Sequence, residues 1–353
     1  MTADAACPSL ILGIESSCDE TAAAVVEHGR RVRSNVIASQ HKLHEEYGGV
    51  VPEIASRAHA ERILPVIRRA VSQAGVALGD IEAVAVGNRP GLIGSLLVGV
   101  SAGKALAWAL GVPIIGVDHV HAHLHAGVLD APPAEFPALG LAVSGGHTSM
   151  YRCESAVSLT RLGSTIDDAV GEAFDKVATI LGLPYPGGPS LDRLAQEPGA
   201  DDRAHKFPIS RLSRDSLDFS FSGLKTAVLY AVRGVPARGG VFERDAADLT
   251  DSQRRDIAAA FQRAAIEAVM LKLARAADRG EYSTLLVGGG VTANSLLRTR
   301  VRAFADERGL ALRLPAIEYC LDNAAMIAGL GYELLLAGRR DDLTLTATPT
   351  TAC

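Results

Sequence analysis

Residues 9–29, SLILGIESSCDETAAAVVEHG, run from an apolar stretch through a small polar turn into a second apolar stretch. Residues 138–154, ALGLAVSGGHTSMYRCE, repeat that pattern about 130 residues later. Each reads as a β-hairpin, the first with Ser16, Ser17, Asp19, Glu20 and Thr21 in its turn. The repeat predicts an internal duplication: two halves facing each other across a cleft, with one turn from each pointing into it. A chain of 353 residues is too long for one comfortable core and suits two domains. The Pro-rich break DAPPAEFP, 130–137, falls between the halves. The 35 glycines and only 5% aromatics suit an α/β enzyme with tight strand-to-helix turns.

Between the hairpins, residues 52–74 have helical spacing with Pro52 near the start, 81–87 read as a buried strand, 94–111 as a helix and 112–118 as another strand. Residues 165–196 mix helix with the loop LPYPGGPSLD, and 233–252 read as an exposed connection. A helix is expected over 253–279, with Ile257, Phe261, Ala264, Ala268 and Leu271 on one stripe. Residues 282–301 read as strand, glycine turn and helix, and 320–338 as a helix opening near Asp322. The longest apolar run, around 92–112, is interrupted by Gly, Ser and Lys104, so it is expected to be a buried helix and not a membrane span.

A net charge of −5 excludes a generic nucleic-acid binder; an RNA substrate would need a local basic patch or a partner. The five scattered cysteines, without CxxC, suit reduced thiols in a cytoplasmic protein, and the opening MTADAACPSL lacks an export signal.

VDHVHAHLHAG, 117–127, places four histidines at alternate positions directly after a predicted strand, at the sheet edge where ligands bind in open α/β folds. On a helix His119 and His123 share one face and His121 and His125 another. One pair suits a metal ion if a third ligand arrives from elsewhere, with Asp322 available; a titratable polar patch is the competing reading. H-E-x-x-H is absent, against a zinc protease. Ser144, Gly145 and Gly146 form a turn of amides suited to phosphate. Gly288, Gly289 and Gly290 offer a second close approach, with Asn294 beside them, although such glycines also serve packing. Asp192 follows PGGP and suits a sugar hydroxyl. Glu172, Asp175 and Lys176 fit an ion-paired helix face, and Arg298, Arg300 and Arg302 a charged one.

Ten segments occur in order: GIESSCDET, EYGGVVPEIASRAH, PGLIGSLLVG, HVHAH, VSGGHT, GEAFDKVA, YPGGP, DFSFSGLKTA, GGGVTANSLLR and DNAAMIA. On these, over roughly residues 9–338, the chain closely resembles the tRNA threonylcarbamoyltransferases of the TsaD/Gcp family, once labelled O-sialoglycoprotein endopeptidases. The resemblance implies the actin/sugar-kinase/Hsp70 (ASKHA) α/β fold, duplicated and two-lobed around a central cleft. It places 9–130 plus 322–340 in a first lobe, 138–321 in a second, and 1–8 and 341–353 in tails. It implies transfer of threonylcarbamoyl from threonylcarbamoyl-AMP to the exocyclic amine of the adenosine beside the anticodon in ANN-reading tRNAs, with release of AMP. Carried over residue by residue, it implies metal ligands His119, His123 and Asp322; adenylate-binding positions Ala142, Val143, Ser144, Gly145, Gly146, Asp175, Gly188, Asp192 and Asn294; and acidic residues Asp19 and Glu20 near the reacting centre. The poor nucleophilicity of an adenine amine makes these two carboxylates the expected catalytic proton acceptors.

The same resemblance implies one divalent metal per subunit, Fe2+ before Zn2+. The implied partners are tRNA, a TsaB-like paralogue, a TsaE-like ATPase and a TsaC-type synthase supplying the adenylate, with a cytoplasmic location and no membrane. Two departures stand out. Arg89 occupies a position usually Gly in the family's Gly-Pro-Gly-Leu, and LTLTATPTTAC replaces a tail that is often basic. Three other functions compete. A small-molecule carbamoyltransferase of the related class carries an extra domain, for which this length leaves no room. A non-catalytic scaffold lacks the histidine pair. A secreted glycoprotease needs an export signal and a protease motif.

Overall fold

The computed structural model describes residues 8–237, 242 and 244–350. The first half contains β1 (Leu10–Glu15), β2 (Glu20–Glu27), β3 (Arg31–Ser39), α1 (His41–His44), α2 (Pro52–Ala74), β4 (Ala83–Arg89), α3 (Ile93–Leu110), β5 (Ile114–Asp118) and α4 (His119–His125). The second contains β6 (Ala138–Val143), β7 (Thr148–Ser155), β8 (Ser158–Ser164), α5 (Val170–Ile180), α6 (Gly187–Ala195), α7 (Ser222–Arg233), α8 (Asp251–Ala277), β9 (Thr284–Gly288), α9 (Ser295–Arg308) and β10 (Ala311–Arg313), and α10 (Ala324–Leu336) follows.

The two sheets share one plan. The first runs β3-β2-β1-β4-β5 and the second β8-β7-β6-β9-β10. In each, an antiparallel meander continues into two parallel strands. The predicted hairpins are therefore the first two strands of three-stranded meanders. The third strands, β3 and β8, are largely solvent-facing edge strands, so they lack the apolar run that marks β1 and β6.

Successive side chains of β1 face opposite ways. Ile11 packs under α10 with Val117, Met326, Ile327 and Leu330. Leu12 and Ile14 pack under α2 and α3 with Ile63, Val84 and Val86. Small residues bring α10 close: a Cβ on Gly13 would stand 2.2 Å from the Ala324 carbonyl oxygen. The second lobe's main core joins Leu139, Leu141 and Val143 to Phe174, Phe261 and Val287. Within it α8 is buried on most of its circumference, not one stripe, while Leu271 is only half-buried. Lys272, buried among these residues, donates to the carbonyls of Arg211 (2.9 Å) and Ser216 (2.8 Å).

Helix α4 lies between the sheets. It follows β5 in the chain, yet Val120 and Leu124 pack with Ala138, Ala142 and Leu286 of the second sheet. Helix α3 differs from expectation. Ser95, Leu96, Gly99, Val100, Gly103 and Ala107 are buried, but Ile93, Leu97 and Trp108 face outward, Trp108 at 75% exposure. By length and composition alone α3 would pass for a membrane span; in the structure its inner face packs on α2 and β4. After α10 the chain runs along the first sheet's edge: the Gly116 amide donates to Asp341 Oδ2 (2.8 Å), and Asn88 Nδ2 to the Thr346 carbonyl (3.1 Å).

Candidate active site

Asp118 caps α4, its Oδ1 accepting from the amides of Val120 (3.0 Å) and His121 (3.2 Å). This fixes the helix start and hence the direction of the histidines. His119 and His123 lie edge to face, ring centroids 4.6 Å apart. Asp322, two residues before α10, places Oδ1 3.4 Å from His119 Nε2 and 3.1 Å from His123 Nε2. Three donors thus converge from two separate segments.

These residues fit a divalent ion. Donors about 2.1 Å from one ion stand roughly 3.0–3.4 Å from one another, the spacing of both histidine nitrogens from Asp322 Oδ1. Both ring nitrogens of His123 are buried without a hydrogen-bond partner among the described residues, and coordination would relieve that cost at Nε2. His119 Nδ1 contacts Glu15 Oε2 at 3.0 Å and Ser17 Oγ at 3.2 Å, which turns Nε2 toward the shared point. Burial alone would lower the His119 pKa, but the Asp322 and Glu15 carboxylates outweigh it and hold it well above the usual value. Gly87 leaves room for Glu15: a Cβ there would stand 2.7 Å from Glu15 Oε2.

Glu15→Gln is expected to weaken metal binding about 10–100-fold with the fold intact, because the imidazole loses its anionic partner. Metal titration of the apo chain checks this; unchanged affinity would remove Glu15 from the site.

His121 and His125 point away. His121 stands edge-on to Tyr151, centroids 5.3 Å apart, and His125 Nε2 contacts the Gly29 carbonyl oxygen at 3.2 Å. Both line a separate cavity of about 190 Å³ behind α4. The four histidines therefore divide two and two, as the i,i+4 spacing predicts.

Asp19 ends the β1–β2 turn and Glu20 opens β2, both buried, and His41 of α1 joins them. His41 Nε2 lies 3.2 Å from Glu20 Oε1 and 3.7 Å from Asp19 Oδ2. Across the cleft its ring meets Tyr185 of the second lobe edge-on, centroids 5.8 Å apart. Burial drives the Glu20 carboxyl up to about 8, opposed by the His41 contact and reinforced by the charges of Asp322 and Asp19.

The other positions surround the second lobe's turns. Ala142 and Val143 end β6 with their side chains in the cores. Ser144 turns the chain, its amide donating to the His147 carbonyl (2.8 Å). Gly145 and Gly146 are exposed, with open space where a Cβ would stand and no acceptor for their amides among the described residues. Asp175 Oδ1 accepts from the Gly188 amide (3.1 Å) at the start of α6. Asp192 Oδ1 accepts from Ser295 Oγ (2.7 Å) and Asn294 Nδ2 (3.2 Å). Asn294 caps α9 through the Leu297 amide (3.0 Å) and donates also to Gln262 Oε1 (2.9 Å). Its side chain is thus committed within the chain, tying α6, α8 and α9 together.

Sequence reasoning missed Glu15, Ser17, His41 and His147. Burial pushes the His147 imidazole down to about 4, and the nearby His119 and His123 add to the shift. The signal available for Glu15, Ser17 and His147 was position inside a segment already quoted, whereas His41 lies between two of them. Other polar motifs have structural roles. Lys176 pairs with Asp168 (2.7 Å) and Glu172 (2.8 Å), while Arg298 donates to the carbonyls of Thr292 and Pro315 (3.1 Å each).

Two sheets of one topology, enclosing a cleft with a His–His–Asp centre, define an α/β protein of the ASKHA class. The solved structure of T. kodakarensis HypF has the same fold, at TM-score 0.59 and 15% identity over 95% of this chain and 49% of that one. The profile of the family described as TsaD, tRNA N6-adenosine threonylcarbamoyltransferase, matches residues 31–329, and the chain belongs to that family. It is 52% identical to the protein of that name from Symbiobacterium thermophilum, over 96% of each chain. It is 49% identical to the one from Moorella thermoacetica, over 99% of this chain and 98% of that one.

Proposed function

We propose that this chain transfers threonylcarbamoyl from threonylcarbamoyl-AMP to the exocyclic amine of the adenosine beside the anticodon in ANN-reading tRNAs, releasing AMP. The carrying observation is the convergence of His119, His123 and Asp322 in the cleft between an acidic turn and an open glycine turn. The donor is a mixed carbamic–phosphoric anhydride, already activated. The protein's main tasks are to position two reactants and to stabilise developing negative charge.

His119, His123 and Asp322 would hold one divalent ion, Fe2+ by family resemblance and Zn2+ by donor chemistry as well, supplying Lewis acidity toward the donor's oxygens. The free amides of Gly145 and Gly146 suit the phosphate. Asp175 orders the start of α6, and the Asp192–Asn294 pair fixes the wall beside it. Asp19 or Glu20, in its ionised form, accepts the amine proton.

By family resemblance the chain works in the cytoplasm with a TsaB-like paralogue, a TsaE-like ATPase and a TsaC/Sua5-type synthase supplying the adenylate, and its acidic overall charge favours a tRNA surface completed by other subunits. The outward stripe of Ile93, Leu97 and Trp108 on α3, with Leu64 of α2, is the apolar surface that suits the paralogue.

The test is single-turnover transfer. The full chain and its TsaB-like partner are mixed with preformed threonylcarbamoyl-AMP and unmodified ANN-reading tRNA, and digested nucleosides are read by mass spectrometry. Threonylcarbamoyladenosine is expected. A folded, metal-loaded chain giving none would overturn the reading, and Arg89 would be the first residue to revert to Gly.

A further inference from the structure

Glu15, Asp19, Glu20, Asp175 and Asp322 crowd one cleft, and none of them makes an ion pair with a Lys or Arg among the described residues. Glu15, Asp19, Glu20 and Asp322 pair with histidines, while Asp175 accepts from the Gly188 amide. An anionic adenylate entering such a cleft meets like charge unless cations are present. One ion at His119, His123 and Asp322 serves one end of this surplus. The β1–β2 turn is left with two adjacent buried carboxylates and one imidazole.

Three observations at that turn point to a ligand. The donor atoms of Asp19, Glu20 and His41 all lie within 4.8 Å of one another. The His41–Glu20 separation, 3.2 Å, already has the spacing of two ligands on one ion, and the His41–Asp19 separation, 3.7 Å, is slightly wide of it. Asp19 Oδ2 is buried and has no hydrogen-bond partner among the described residues, so an acceptor 3.7 Å from His41 Nε2 is left unsatisfied.

We propose that Asp19, Glu20 and His41 form a second cation site, taking a divalent transition-metal ion through one imidazole nitrogen and two carboxylate oxygens. That donor set suits manganese, iron or zinc better than magnesium, which favours oxygen ligands and retained water. The site leaves coordination positions open toward the cleft. A cation there also keeps Glu20 ionised, the form that accepts a proton, with its second oxygen still free. The site deepens the transfer reading and rests on it for this last role, but occupancy can be measured without transfer.

The experiment counts Mn2+ on the metal-stripped, full-length chain by equilibrium dialysis and elemental analysis, with free Mn2+ raised to about 1 mM, the upper range for weak carboxylate sites. Two ions per chain are expected. His41→Ala and His119→Ala should each leave one, and the double variant none. Asp19→Asn, nearly isosteric, stands in if His41→Ala does not fold by circular dichroism, and should also leave one. One ion on the unmodified chain, or two that the folded variant retains, would overturn the proposal. A chain that binds two ions but transfers nothing overturns only the transfer reading. A chain that transfers with one ion overturns only the second site.

Discussion

His119→Ala is expected to lower single-turnover transfer about 10²–10³-fold, the scale of losing one preorganised electrostatic stabiliser. The residue does more than donate one nitrogen. His119 is 5% exposed and stands between Asp322 on one side and Glu15 and Ser17 on the other. Its removal opens the proposed metal centre and also leaves Oε2 of the fully buried Glu15 without its imidazole partner, with only Oε1 still held by the Ser17 amide. Stability should therefore fall as well, because an uncompensated buried charge is costly. His119→Gln serves as the second variant, since it fills most of the volume. Circular dichroism verifies the fold, and elemental analysis shows the first site empty. Activity within tenfold of the parent, in a folded chain without metal at that site, would show that the His–His–Asp centre does not carry the chemistry.

What the sequence made legible here was local, and what it hid was long-range. The histidine pair could be read because helical spacing alone puts His119 and His123 on one face. Glu15 could not, because it meets His119 across 104 positions of chain, at the end of a strand that reads simply as apolar. The duplication was visible from two polar turns inside apolar runs. The edge strands β3 and β8 lack that contrast, since half-exposed strands tolerate polar residues on both faces. Helix α3 was expected to be buried because apolar composition says nothing of which face is covered, and Trp108 lies on the open one. Asn294 and Asp192 read as ligand contacts, yet they bond each other and their neighbours, an arrangement that sequence distance conceals.

The glycine turn VGGG is the sharpest case, and it gives the second large effect. Its glycines admitted close approach of a ligand or of the chain itself, and at Gly288 the structure shows the second. A Cβ on Gly288 would stand 1.9 Å from the His123 carbonyl oxygen and 2.4 Å from its carbonyl carbon. These are backbone atoms of the helix that carries His119 and His123, the proposed metal ligands, so no side-chain rotation relieves the clash. Gly288 also pairs with Ala142 in the parallel ladder, which restrains the strand from moving away. Gly288→Ala is therefore expected to cost about 3 kcal/mol or more, the upper range for overpacking. Pushing α4 away from β9 also displaces His123 from Asp322, 3.1 Å away, so metal affinity should fall with stability. Gly145→Ala is the contrast, because a Cβ there meets nothing within 4 Å and should leave the fold intact. Denaturant unfolding and metal titration of both variants check the pair. If Gly288→Ala lay within about 0.5 kcal/mol of the parent, the range of an inconsequential surface change, with unaltered metal binding, then β9 does not hold α4 in place. The metal centre's rigidity would then have to come from α10 and Asp118 alone.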